Sequence, residues 1–162
     1  MKSLLILRHA KSSKDDPGLN DFDRPLTERG ETDAKLIGSY LRKQQISLDT
    51  LVSSPATRAR QTTGLLVEAA KIDCKPIFDD RIYEASVHRL LTVVSEINDQ
   101  ANTAVLVGHN PGFEDLIRLL TGVDERLRTA ALAKVNLSIN NWSSVGVGKG
   151  RLEWIVSPRD LK

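Results

Sequence analysis

The stretch Leu4-Leu5-Ile6-Leu7-Arg8-His9-Ala10 constrains the fold more than any other, because four apolar residues in a row stop at a cation and an imidazole. So short a run does not make a helix and suits a strand buried on both faces, as in the middle of a sheet covered by helices. Arg8 and His9 then stand at the carboxyl edge of that strand. Ligands bind at this edge in open α/β sheets, so the first strand delivers two reactive side chains into a crevice.

Behind it, Lys11 to Arg24 is polar and turn-rich and reads as a loop leaving the crevice. Thr27 fits an N-cap with Glu28 in the first turn, and Ala34, Ile37 and Leu41 recur at helical spacing, which predicts a helix over 28–43. Residues 50–53 read as a second strand. Ser54-Pro55 signals a helix over 56–71, with Pro55 at its first position and Arg58 in its first turn. Lys75 to Phe78 reads as an edge strand because of Pro76. A loop from Asp79 to Ala85 leads to a helix over 87–100.

Ala104-Val105-Leu106-Val107-Gly108-His109 repeats the opening pattern, and Asn110-Pro111-Gly112 starts a helix over 113–120. Segments 133–139 and 151–156 alternate and read as two late strands. Strands alternating with helices predict an α/β fold: a three-layer α/β/α sandwich with a mostly parallel central sheet. No linker, repeat or low-complexity tract interrupts residues 1–162, so a single domain is expected.

Composition excludes several function classes. The net charge is only +2, Lys and Arg are scattered along the chain, and 4% of residues are aromatic, so no nucleic-acid partner is expected. Cys74 is the single cysteine, which favours a reducing compartment and a packing role. The N-terminal apolar run is broken at Arg8 with no small-residue cleavage site after it, and no stretch approaches the ~20 apolar residues that cross a bilayer. A cytoplasmic protein without a membrane partner is the expectation.

Two strand ends carry a histidine, and a third junction carries Arg58. Such junctions present free backbone N–H groups, and Arg8 and Arg58 add guanidinium forks suited to bidentate capture of phosphate oxygens. A small dianion, most plainly a phosphoryl group, is the expected ligand. Four aspartates, Asp15, Asp16, Asp21 and Asp23, lack the spacing of a calcium loop and read as a solvated loop. Arg60 lies two residues past Arg58 and faces away, and His88 reads as an ordinary helix residue. Gly146, Gly148 and Gly150 precede a strand, unlike a nucleotide-binding loop.

Three blocks resemble the histidine phosphatase superfamily, also called phosphoglycerate-mutase-like, and within it the SixA-type phosphohistidine phosphatases. They are Leu7-Arg8-His9-Ala10, Val52 to Thr62 with Ser54-Pro55-Ala56-Thr57-Arg58, and Val107-Gly108-His109-Asn110-Pro111; Arg24-Pro25-Leu26-Thr27-Glu28-Arg29-Gly30 supports them. The resemblance implies that His9 is the phosphorylated nucleophile, that Arg8 and Arg58 hold phosphoryl oxygens, and that His109 is the second histidine of the phosphate pocket. Glu84 matches the position of the general acid. Ala10 replaces the glycine usual after the nucleophile, which adds a methyl where backbone approaches phosphate.

The expected activity is a metal-independent, cofactor-free phosphatase acting on protein phosphohistidine, for instance on a histidine-containing phosphotransfer domain. A small-molecule phosphomonoesterase of the same superfamily is one alternative. A non-catalytic phosphoprotein-binding module is another, and the presence of both histidines and both arginines speaks against it. Elementary chemistry agrees with the roles, since an imidazole attacks phosphorus only through an unprotonated nitrogen, and a protonated His109 would add to the charge of the arginines.

Overall fold

The computed structural model describes residues 1–162. Its frame is a six-stranded sheet in the order β3-β2-β4-β1-β5-β6, formed by β1 (Lys2–Arg8), β2 (Thr50–Ser53), β3 (Ile77–Phe78), β4 (Thr103–Gly108), β5 (Leu132–Leu137) and β6 (Gly150–Val156). The first four strands in that order pair in parallel, and β5 and β6 add two antiparallel strands beside β1.

Alternation along β1 shows why the sheet needs cover on both faces. Leu4 and Ile6 point into one core, Leu5 and Leu7 into the other, and all four are fully buried. The first core is closed by α3 (Val87–Ser95) and α4 (Gly112–Thr121), through Leu90, Val94, Phe113 and Leu116. The second is closed by α1 (Glu28–Lys43) and α2 (Thr57–Ala70), through Ile37, Leu41, Ala59 and Leu66. The result is the three-layer α/β/α sandwich expected from the sequence. No helix is long and apolar enough to cross a membrane.

Three boundaries differ from expectation, each for a local reason. Pro55 does not open α2: Ser54 Oγ accepts the Ala56 N–H at 3.2 Å, which holds the chain extended until Thr57. The helix predicted over 87–100 ends at Ser95, because Asn98 folds back on the Gln100 N–H and Asp99 is engaged by Lys2 and Trp142. The edge strand shrinks to Ile77 and Phe78, since Pro76 has no N–H to offer.

The block Arg24 to Gly30 acquires a structural explanation. Thr27 caps α1 by accepting the Gly30 N–H at 3.0 Å, and the Thr27 N–H donates to Lys11 O at 2.9 Å. The Ser13 N–H likewise donates to Pro25 O, and the Leu26 N–H to Gln61 Oε1. These bonds tie the loop after His9 to the start of α1. A Cβ on Gly30 would collide with the Lys11 carbonyl, so only glycine permits the approach.

Gly30→Ala is therefore expected to destabilise the protein by about 1–3 kcal/mol, whereas Gly64→Ala, in α2 with nothing within 4 Å of an added Cβ, should be neutral or slightly stabilising. Urea unfolding of the two variants checks this; equal midpoints would remove the steric explanation of the motif.

Candidate active site

Strands β2, β4 and β1 are parallel neighbours, with Ser53 opposite Val107 and Arg8 opposite Gly108. Their ladders continue for one more residue, because the Ser54 N–H donates to Val107 O and the His9 N–H to Gly108 O, each at 2.9 Å. Ser54, His109 and His9 thus stand in a row at the carboxyl ends of adjacent strands, the edge where such sheets bind ligands. The two imidazole centroids are 5.2 Å apart. Arg8 comes from the last residue of β1 and Arg58 from the first turn of α2. Arg8, His9, Arg58 and His109 line one wholly polar cavity of about 220 Å³, together with Lys11, Lys14 and Arg24.

The tautomer of His9 follows from its neighbour. Its Nδ1 lies 2.8 Å from Ala10 O, and a carbonyl only accepts, so the neutral ring carries its proton there and leaves a lone pair on Nε2. Burial, aided by His109, Arg58 and Arg8 and opposed by the bond to Ala10, pushes its pKa down to about 3. The Ala10 methyl packs in the core beneath α1 and α2 and does not line the cavity, so it leaves the space above His9 free. The Ala10 N–H donates to Thr62 Oγ1, and the long loop expected from the sequence follows.

His109 Nε2 lies 2.7 Å from Ser54 Oγ. The Ser54 hydroxyl donates to no other acceptor, so its proton goes to Nε2 and the ring proton sits on Nδ1, which is buried without a partner. Burial and then Arg58 push the His109 pKa down to about 4, against a raising effect of Asp21. In the free site the His109 imidazole is neutral rather than a third cation beside the two arginines.

Five buried side-chain polar atoms in the chain have no hydrogen-bond partner. Four of them, Arg8 Nε, Arg58 Nε, His109 Nδ1 and Asn110 Oδ1, belong to residues lining this cavity. Native proteins pair nearly all such groups, so three unpaired nitrogens beside one unpaired amide oxygen mark a place where a ligand brings hydrogen-bond partners.

Asp21, expected in a solvated loop, is a member of the site, whereas Asp15, Asp16 and Asp23 are exposed as expected. Its Oδ2 accepts from Tyr83 O–H at 2.6 Å and from Arg58 Nη2 at 3.0 Å, and its main-chain oxygen accepts from Arg58 Nη1 at 2.6 Å. Its Oδ1 accepts from Arg24 Nη2 at 3.0 Å. The Tyr83 hydrogen bond, with Arg24 and Arg58, holds this carboxyl well below the usual carboxylate range. Burial and the same bond push Tyr83 up to about 12. No spacing rule could have paired Asp21 with Tyr83; the only sequence hint is that Asp21 just precedes the Arg24–Gly30 block.

Glu84 does not line the His9 cavity. It is exposed, with φ of 52°, on the wall of an adjoining cavity of about 610 Å³ that shares Arg58 and His109 with the first. Arg60 turns away, as expected, and stacks over Phe78; His88 is an exposed residue of α3. No group of three or more His, Cys, Asp or Glu side chains converges, so no residues are assigned to a metal.

The family profile of the histidine phosphatase superfamily (branch 1) matches residues 4–105. The chain belongs to the histidine phosphatase superfamily. An uncharacterized chloroplastic protein of Arabidopsis thaliana is 31% identical, over 97% of this chain and 78% of that one. Phosphohistidine phosphatase SixA of Escherichia coli K12 is 24% identical, over 98% of this chain and 96% of that one. A solved structure of the protein histidine phosphatase SixA complexed with tungstate superposes with a TM-score of 0.86, covering 99% of both chains at 23% identity, which shows the shared phosphoglycerate-mutase-like fold. Within this superfamily member the profile takes in Arg8, His9, Arg58 and Glu84, and His109 follows just beyond its end.

Both imidazole pKa values are lowered from 6.5 on folding, so the unfolded chain binds the extra protons as the solution is acidified. Their contribution to stability is complete above about pH 6.5 and is lost as pH falls toward 4 and 3. NMR titration of both rings should show no midpoint above about pH 5, and His9→Gln/His109→Gln should lose less unfolding free energy than the parent between pH 7 and 5. A midpoint near the ordinary histidine value would overturn the assignment of neutral rings.

Proposed function

We propose that this superfamily member is a phosphatase that removes phosphoryl groups from protein phosphohistidine through a covalent phospho-His9 intermediate. One observation carries the reading: a histidine with its lone pair held on Nε2 shares a polar cavity with the unpartnered donors of Arg8, Arg58 and His109.

In the first step His9 Nε2 forms a bond to phosphorus while the bond from phosphorus to the leaving nitrogen breaks. The leaving imidazole departs neutral once it has gained a proton. In the second step water attacks phosphorus, releases inorganic phosphate and returns the electron pair to Nε2. Splitting the hydrolysis this way replaces one high barrier by two lower ones. Phosphoryl transfer requires mainly positioning and charge around the three equatorial oxygens. Arg8 and Arg58 supply that charge, and Asp21 fixes the orientation of the Arg58 fork. No metal is invoked in this scheme.

Glu84, on the wall of the larger cavity, stands where a leaving group would exit, and we assign it delivery of the proton. A phosphohistidine needs this help less than an alkyl ester does, because its leaving nitrogen is more readily protonated than an alkoxide oxygen is released. The openness of the site toward this cavity suits a phosphohistidine presented by another protein. The name of the E. coli relative and the tungstate in the related structure, a tetrahedral oxyanion like phosphate, support the same reading. The cavity of about 610 Å³ also favours a second reading, a small phosphate ester whose alcohol lodges beside Tyr83 and Ser86.

Acid-labile, alkali-stable label from a labelled phosphodonor should accumulate on His9 and vanish in His9→Ala; label persisting in that variant would show the nucleophile to be another residue. Activity should survive EDTA, and a loss restored by Mg²⁺ would remove the metal-free scheme. Dephosphorylation of a histidine-containing phosphotransfer domain should outpace a panel of sugar phosphates, and the reverse ranking would favour the ester reading.

Glu84→Gln should lower kcat on alkyl phosphates by about 10²-fold while changing phosphohistidine turnover less than about threefold. Equal losses on both substrates would remove Glu84 from the proton transfer.

A further inference from the structure

Beside the His9 cavity lies a second one of about 350 Å³ that shares Arg8, Lys11 and Thr129 with it and adds Arg29, Arg128 and Arg159. No hydrophobic residue lines it. Five cations there face a single carboxylate, Asp33, which is 3% exposed and already held by Lys162 Nζ at 3.2 Å and Arg29 Nε at 3.7 Å. Past Arg128 and Arg159 the depression continues into a cavity of about 450 Å³, where Arg126 joins them. Glu125 and Asp160 also enter there, and the Asp160 carboxylate is taken by Ser157 at 2.9 Å.

The chain's net charge is only +2, so this one face holds a positive excess that the rest of the surface offsets. Lys11, Arg128 and Arg159 take part in none of the ion pairs of the molecule. Like charges gathered on one face repel each other and raise the local concentration of anions. The opposite flank of the His9 cavity is different in kind. There Phe22 packs edge-on against Tyr83, with centroids 5.1 Å apart, and Tyr83 spends its hydroxyl on Asp21. The entrance to the site is therefore basic on one side and aromatic on the other.

The shape of the basic side selects its occupant. Its cations come from the loop after β1, from α1, from the segment before β5 and from the chain after β6, and they are spread along successive open depressions. No aromatic ring lines those depressions for a nucleobase to stack on. A row of separated cations matches carboxylates distributed over a protein surface better than one compact anion.

We propose that this groove docks an acidic protein surface: carboxylates flanking the phosphohistidine of the substrate sit on Lys11, Arg29, Arg128 and Arg159 while the phosphoryl group enters the His9 cavity. The inference rests on the protein-substrate reading above and names the chemistry of that substrate.

The test compares two phosphohistidine peptides, one with Glu and Asp flanks and one with Ser and Gln flanks, on the parent chain and on Arg128→Glu/Arg159→Glu. The acidic peptide should have a kcat/KM about tenfold higher at low salt, entirely through KM, and the advantage should vanish at about 0.5 M salt and in the variant. Phosphoramidate, too small to reach the groove, reports basal turnover and should be hydrolysed equally by both proteins. Arg128→Gln/Arg159→Gln, which removes the charge without reversing it, should fall between them.

Fluorescence anisotropy of the unphosphorylated acidic peptide reads docking without turnover. If neither phosphopeptide is hydrolysed but this peptide binds the parent and not the variant, the groove stands and the protein-substrate reading falls. If both phosphopeptides are hydrolysed with equal kcat/KM, the reading stands and the groove proposal is overturned. Tighter capture of a single-stranded oligonucleotide of equal charge than of the acidic peptide also overturns it.

Discussion

The register between β1 and β4 is the constraint on which the rest of the site depends. Because Arg8 lies opposite Gly108, the next residue on each strand is a histidine, and the two rings come to 5.2 Å. A slip of one residue would turn Leu4 and Ile6 into the core that now holds Leu5 and Leu7, so two closely packed apolar layers hold the register. Gly108 makes the arrangement tighter still. An added Cβ there would come within 2.6 Å of Phe113 and 2.8 Å of Ile82, so α4 and the segment before α3 press against the strand end that carries His109.

With the histidines fixed, electrostatics decides their state. The imidazoles, buried among arginines, are neutral. The compensating charge is kept to the side. Asp21 holds Arg58 and Arg24 from the loop, and Glu114 raises the Arg8 pKa against burial while accepting the Leu127 N–H at 2.7 Å. The Leu127 carbonyl in turn receives Arg8 Nη1 at 3.2 Å and Asn110 Nδ2 at 2.8 Å. Leu127 thereby holds two residues of the cavity, whose Arg8 Nε and Asn110 Oδ1 stay unpaired.

Much of this was legible from the chain because it is local. The apolar runs ending at Arg8 and at Gly108 mark buried strands, and the Thr27 cap fixes α1 over Glu28–Lys43 as predicted. The motif blocks around His9, Arg58 and His109 pointed to one pocket, and the fold brings them to it. What escaped was long-range or competitive: Asp21 meets Tyr83 only through folding, and Asn98 and Asp99 end α3 early through bonds that its apolar periodicity does not encode.

The sequence by itself determined the layer architecture, since burial of alternating apolar faces leaves a strand such as Leu4–Leu7 nowhere to go but between helices. It also determined the chemical inventory of the His9 cavity, because that inventory is written in the residue types at two strand ends and the first turn of α2. Only the tertiary structure decided that His109 is neutral, that Glu84 stands in the neighbouring cavity, and that cations scattered along the chain gather on one side of the entrance. Protonation, proximity and surface potential depend on distances through space and on exclusion of water, and neither quantity exists until distant segments pack.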